Sequence, residues 1–74
     1  MNEALTLNNI GRWEIDGDEF TSGEAMEIKL NEYWIRGRVE CVGHPKPRYV
    51  LMAGSTVINL HNGLIARRPP QRRM

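Results

Sequence analysis

Apolar and polar side chains alternate along residues 26–42, and this pattern limits the fold of the chain more than any other feature. Residues 26–30 read MEIKL and residues 33–42 read YWIRGRVECV, with only Asn-Glu between them. A period of two places alternate side chains on opposite faces of a β-strand. The segment therefore predicts two strands joined by a tight hairpin turn, with Gly37 on the inward face, where the longer strand can bend.

The rest of the chain continues this all-β pattern. We predict a strand at 11–15, a polar loop at 16–24, a proline loop at 43–47 and further strands at 48–53, 56–58 and 64–67. Gly63 after Leu60 favours one helical turn near residues 59–62. The expected fold is a small SH3-like barrel of five to six short antiparallel strands, with a five-stranded OB-type barrel as the alternative.

Length and composition indicate one small soluble domain. Seventy-four residues suffice for a single barrel at 11–67, with an N-terminal arm at 1–10 and a basic Pro/Arg tail at 68–74. A secreted domain of this size usually carries several cysteines, whereas this chain has one, so we expect a cytoplasmic protein. Since no apolar run approaches the roughly 20 residues of a membrane span, we expect no membrane partner.

The charges are divided unequally along the chain. Residues 1–32 carry eight acidic and two basic side chains, whereas residues 33–74 carry eight basic side chains and one acidic. The net charges of −6 and +7 indicate an electrostatically directed partner, or else ion pairs between the two halves. We favour internal pairing for the body of the domain and leave both interpretations open for the tail.

Three stretches resemble a family of short uncharacterised proteins with an SH3-like barrel, catalogued as a domain of unknown function and common in bacterial mobile elements. They are GEAMEI at 23–28, YWIRGRVE at 33–40 and YVL at 49–51. The resemblance covers roughly residues 11–68 and implies the fold. It implies no catalytic residues.

Two groups of residues are candidates for a binding surface. Trp34, Arg36 and Arg38 share the outward face of the longest predicted strand, where they suit a nucleic-acid backbone and its bases, or simply pair across strands. The tail adds four arginines that suit phosphates or an acidic protein surface, or merely solubilise a terminus. These are Arg67, Arg68, Arg72 and Arg73.

Other chemistry-bearing residues do not form a recognisable site in the sequence. Cys41, His44 and His61 are fewer and more scattered than the four ligands of a structural zinc site, and alternation places Cys41 inward. The acidic residues of the 16–19 loop lack the flanking helices of a calcium loop. We therefore predict no catalytic residue, no metal and no cofactor.

The prediction for function is a small non-enzymatic interaction module that binds a protein. The alternative is non-specific nucleic-acid binding through Trp34, Arg36, Arg38 and the arginine-rich tail. An enzyme or metal protein built on the cysteine and the two histidines is the third candidate. We expect a monomer or a weak homodimer, because small sheets often leave an exposed strand edge.

Overall fold

The protein is built from β-strands alone in the part that the computed structural model describes, residues 3–43 and 45–70. The strands form two antiparallel sheets, with orders β1-β2-β3 and β7-β6-β5-β4-β8. Their bounds are β1 Thr6–Leu7, β2 Trp13–Ile15, β3 Asp18–Glu19, β4 Ala25–Leu30, β5 Tyr33–Val42, β6 Arg48–Ala53, β7 Thr56–Asn59 and β8 Ala66–Arg67. The all-β prediction is confirmed.

Two-residue turns connect three of the strand pairs. Leu30 pairs with Tyr33 across the predicted Asn-Glu turn, where Asn31 adopts a φ of 58°. The β2–β3 turn also has two residues in the left-handed region, Asp16 and Gly17, with φ of 51° and 81°. Such turns match the twist of paired strands, and Asn, Asp and Gly tolerate positive φ. Local turn chemistry thus sets the register of these hairpins.

Gly37 allows the central strand β5 to approach β6 closely. It faces the core side of the sheet opposite Met26, and a Cβ atom built on it would lie 2.5 Å from the Met52 carbonyl oxygen. The same atom would lie 2.9 Å from Leu51 Cγ. Only glycine fits here, while the bend predicted at this position stays a prediction.

The core lies between the two sheets and draws on five of the eight described strands. Its buried side chains come from β4, β5, β6 and β8, from Trp13 at the start of β2, and from residues 5, 20 and 64 outside the strands. The buried cluster comprises Leu5, Trp13, Phe20, Met26, Ile28, Val39, Leu51, Leu64 and Ala66. Each fully buried aliphatic or aromatic side chain contributes roughly 1.5–3 kcal/mol to folding.

The segment predicted as an N-terminal arm contributes to this core. Leu5 has no exposed surface, and its N–H donates to the Leu64 carbonyl at 2.8 Å. The Ala66 N–H donates to the Glu3 carbonyl at 2.9 Å, so the start of the chain lies along the last strand. The structure shows residues 3–7 packed on the domain, while the predicted boundaries at 1–10, 11–67 and 68–74 stay predictions.

Three parts of the predicted architecture differ from the structure. In the part of the chain that the structure describes, the two sheets do not close into a barrel, and eight strands replace the predicted five to six. Residues 59–62 form no helical turn, because Asn59 ends β7 and a turn over 61–64 follows, closed by the Leu64 N–H on the His61 carbonyl at 3.2 Å. Along the described residues, no helix is long and apolar enough to cross a membrane.

Candidate binding surface

Trp34, Arg36 and Arg38 lie on the outer face of the five-stranded sheet, away from the core. They alternate along β5 with Ile35, Gly37 and Val39, which face inward. The register of the sheet places five basic side chains and two acidic ones on this outer face, for a net charge of +3. They are Lys29, Arg36, Arg38, Arg48 and Arg67, with Glu27 and Glu40. The pairing register of the strands therefore makes this outer face basic.

Trp34 and Arg67 are engaged with each other within the protein. The Arg67 guanidinium carbon lies 3.7 Å from the centroid of the Trp34 ring, and its Nε donates to Glu27 Oε1 at 2.7 Å. Lys29 Nζ lies 6.0 Å from the same ring. A guanidinium held over an indole by a carboxylate forms a cation–π contact with an ion pair. The arginine thereby covers a face of the indole that would otherwise stack on a ligand.

Arg68 is held by a second set of acidic residues. Its Nε and Nη2 donate to the two carboxylate oxygens of Asp18 at 2.8 and 3.2 Å, and Nη2 also donates to the Glu19 carbonyl at 2.7 Å. Nη1 forms an ion pair with Glu24, and the guanidinium lies 4.3 Å from the centroid of the Phe20 ring. Arg68 therefore fastens the end of β8 to β3 and the loop after it.

These contacts keep the neighbouring carboxylates ionised. The pKa of Glu24 falls from 4.5 to about 2, chiefly because the Thr21 hydroxyl donates to it, and then because Arg68 and the Thr21 N–H do so. The Arg68 guanidinium also lowers the pKa of Asp18, and the two carboxylates in turn raise the pKa of Arg68. At neutral pH the cluster is therefore an ion-pair network of ionised carboxylates around one guanidinium.

Arg36 and Arg38 remain accessible on the outer face. Arg38 Nε forms an ion pair with Glu40 at 2.9 Å, yet 66% of the Arg38 side chain is exposed. Within residues 3–43 and 45–70, Arg36 has no ion pair. Its cross-strand neighbour Glu27 lies between Arg36 and Arg67 and binds Arg67.

Both exposed arginines line a groove of about 680 Å³ on this face, which we call the basic groove. Its other side chains are Glu40, Cys41, Val42 and Met52. In the same cross-strand row, Arg38 lies opposite Met52 and Met52 opposite Val57, whose surface is 51% exposed. The groove thus combines positive charge with accessible apolar surface.

A second groove, of about 430 Å³, opens between the two sheets. Leu7 and Trp13 line it from the three-stranded sheet, and Tyr49, Asn59 and Leu60 line it from the other side. Of the residues that line it, Arg48 alone is charged, so the lining offers no charged cluster that would orient a ligand.

The remaining predicted residues do not come together in the structure. Cys41 has the predicted inward face, which it shares with Val39, but it is exposed because it lies near the end of β5, beyond the core cluster. His61 is exposed in a turn. His44, Arg72 and Arg73 lie outside the described residues. Across the described ranges, no group of three or more His, Cys, Asp or Glu side chains could hold a metal ion.

Sequence reasoning missed the specific partners of Arg67 and Arg68. The opposed charges of the two halves of the chain were the available signal, and the structure connects those halves through Arg67–Glu27, Arg68–Asp18 and Arg68–Glu24. For these two arginines, internal pairing is the interpretation that the structure supports. Two members of the predicted surface therefore have structural roles.

Comparison with known proteins gives one family. Residues 3–68 match the family described as "Domain of unknown function (DUF5348)". Neither a curated protein nor a solved structure matches the chain. The match spans both sheets, from the first described residue to Arg68, and its description assigns no activity.

Proposed function

We infer that this chain, which belongs to the DUF5348 family, is a small non-enzymatic module that binds a partner protein through the basic groove. The observation that carries this proposal is the combination of Arg36, which has no ion pair among the described residues, with Arg38 and the neighbouring apolar side chains Met52 and Val57. Arginine beside accessible apolar surface is typical of protein interfaces. A surface that carries acidic and apolar side chains would complement the groove.

A partner protein fits this face better than a nucleic acid does. Sequence-tolerant binding of single strands relies on aromatic rings on which bases stack. Here Trp34 lies under Arg67, and Tyr33, which is 73% exposed, points to the opposite face of β5. Met52 and Val57 offer contacts that a phosphate backbone would not use. Nucleic-acid binding remains the alternative that the experiment must separate.

The test compares two double variants with the same change in charge. R36Q/R38Q removes both arginines of the basic groove, whereas K46Q/R48Q removes two exposed basic side chains outside its lining. A partner is first identified by affinity capture from the host, and its binding is then measured by isothermal titration calorimetry. We expect R36Q/R38Q to weaken binding about tenfold or more, which is about 1.4 kcal/mol, and the control to retain it.

The outcomes separate the two classes of partner. Equal weakening by both variants would show a general charge effect and contradict a site in the basic groove. Titration with a single-stranded oligonucleotide tests nucleic-acid binding directly. Binding that falls steeply with salt and disappears in R36Q/R38Q would establish the nucleic-acid alternative instead.

We also propose an open, SH3-like arrangement for the two sheets. Support comes from the meander of β4 to β7, from the close approach of β5 to β6 at Gly37, and from the N-terminal segment bonded along the last strand. For location we propose the cytoplasm, on the ground that secreted domains of this size usually depend on several disulfides and the sequence has one cysteine.

A further inference from the structure

Strand β7 is an open edge of the five-stranded sheet. It lies at one end of the strand order and pairs only with β6 among the described strands. The opposite edge is covered, because the Ala66 N–H on β8 donates to the Glu3 carbonyl. In the smaller sheet, the carbonyl of Glu19 accepts from Arg68 and the N–H of Leu7 donates to the Asn62 side chain. Edges elsewhere in the described chain thus have partners that β7 lacks.

The register of the β6–β7 hairpin shows which backbone groups point outward. Ala53 and Thr56 flank a two-residue turn, so they form a hydrogen-bonded pair, and the next such pair is Leu51 with Ile58. Val57 lies between these two pairs, and Asn59 follows the second pair. Their N–H and C=O groups therefore point away from β6, where a further strand can pair with them.

We propose that β7 pairs antiparallel with β7 of a second copy of this chain, about a two-fold axis that runs between the Ile58 residues of the two copies. In that register Val57 of each copy lies opposite Asn59 of the other. Each of these pairs exchanges two backbone hydrogen bonds, because both residues present their N–H and C=O outward. The pairing is self-complementary, as a two-fold interface requires.

A second copy suits this edge because the edge has no device against self-association. Strand edges that must stay unpaired usually carry charged side chains, proline or a bulge. Residues 56–59 read TVIN and have none of these, and three of the four are β-branched. No like charges meet across the axis.

Pairing of this kind joins two five-stranded sheets into one of ten strands. A two-fold axis perpendicular to the sheet keeps both outer faces on the same side, so the two basic grooves would lie on one continuous surface. Dimerisation does not depend on the proposed partner protein. It can therefore be tested with the isolated chain.

The test uses charges placed at the paired positions. V57K/N59K puts two lysines opposite each other in both pairs, whereas V57K/N59E puts a lysine opposite a glutamate in both pairs. Position 57 is 51% exposed and Asn59 is also exposed, so both variants should keep the fold, which circular dichroism and thermal melting would verify. The mass of each protein is measured by sedimentation equilibrium from about 10 μM to about 1 mM, the range expected for a short interface.

We expect the wild type to dimerise within this range, V57K/N59K to stay monomeric, and V57K/N59E to dimerise at least about threefold more tightly than the wild type. A wild type that is monomeric at the highest concentration would overturn the proposal. Undiminished association of V57K/N59K would also overturn it, because the dimer would then use another surface. Failure of V57K/N59E to tighten the dimer would overturn the Val57–Asn59 register.

Discussion

Arg68 should be the exposed side chain whose loss most weakens the fold. The substitution Arg68→Met removes its ion pair with Glu24 and its contact with the Phe20 ring, while the methionine retains an apolar stem. Partly exposed ion pairs contribute about 0.2–1 kcal/mol and exposed cation–π contacts about 0.5–1 kcal/mol. The contacts of Arg68 with Asp18 lie in solvent, where ion pairs add little to stability. We therefore expect a loss of about 0.7–2 kcal/mol in the free energy of unfolding.

Urea unfolding at neutral pH, followed by tryptophan fluorescence, would measure this loss in about 0.1 M and about 1 M salt. Arg68→Lys keeps the charge but cannot bind Asp18 through two nitrogens, so its stability should lie between those of wild type and R68M. Lys46→Met is the matched control at an exposed position and should change stability by less than about 0.5 kcal/mol. If R68M were as stable as K46M, Arg68 would not fasten the two sheets as we argue.

Two further substitutions test the turn at 21–24 and the close approach of β5 to β6 at Gly37. Thr21→Val removes the hydroxyl that does most to depress the pKa of Glu24. The variant should therefore be less stable than the wild type above pH about 4.5, and the difference should disappear as pH falls towards 2. Urea unfolding from pH 7 to 2 measures both free energies of unfolding, and two parallel plots against pH would show that the hydroxyl is irrelevant. Gly37→Ala places a Cβ 2.5 Å from the Met52 carbonyl oxygen and should lower the free energy of unfolding by about 1–3 kcal/mol. Gly17 has a φ of 81° and open space around it, so the control Gly17→Asn should lower the same free energy by less than about 1 kcal/mol. Similar melting temperatures for G37A and the wild type would contradict the close approach of β5 and β6.

Every strand of four or more residues was predicted from sequence, and alternation of polarity was the clearest signal among them. Residues 33–42 were predicted as one strand and form β5 with the same bounds, and the predicted strand 26–30 corresponds to Ala25–Leu30. Strands β1 and β3 contain two residues each, so they offer no period to detect. Tertiary pairing creates them: Thr6 and Leu7 become a strand because β2 lies beside them. Local sequence alone carries little of that information.

Residues 59–62 show how tertiary packing overrides a local signal. A glycine four residues after Asn59 favoured a helical turn, and Gly63 does adopt a φ of 89°. However, Asn59 continues the β7 ladder opposite Val50, and Leu60 packs against the core cluster. Both contacts require extended backbone. The glycine therefore closes a tight turn instead of a helix.

The sequence predicted which side chains share the outer face of β5, but it did not predict which arginines are free of ion pairs. Alternation correctly assigned Trp34, Arg36 and Arg38 to one side of β5, because the period of a strand fixes side-chain direction. Which arginines are already paired depends on contacts between residues about 40 to 50 positions apart in sequence, such as Arg67 with Glu27 and Arg68 with Asp18. Period and composition contain no such information.

The accessibility of Arg36 follows from the position of the last strand. Glu27 lies opposite Arg36 on one side and Arg67 on the other, so two arginines compete for one carboxylate. Arg67 holds it, because stacking on Trp34 adds to the ion pair and fixes the guanidinium beside Glu27. Arg67 of the short strand β8 thus binds Glu27, the carboxylate that would otherwise neutralise Arg36. A sheet that ended at β4 would lose this unpaired charge, so the ion pair that completes the fold also leaves the positive charge of the basic groove available to a partner.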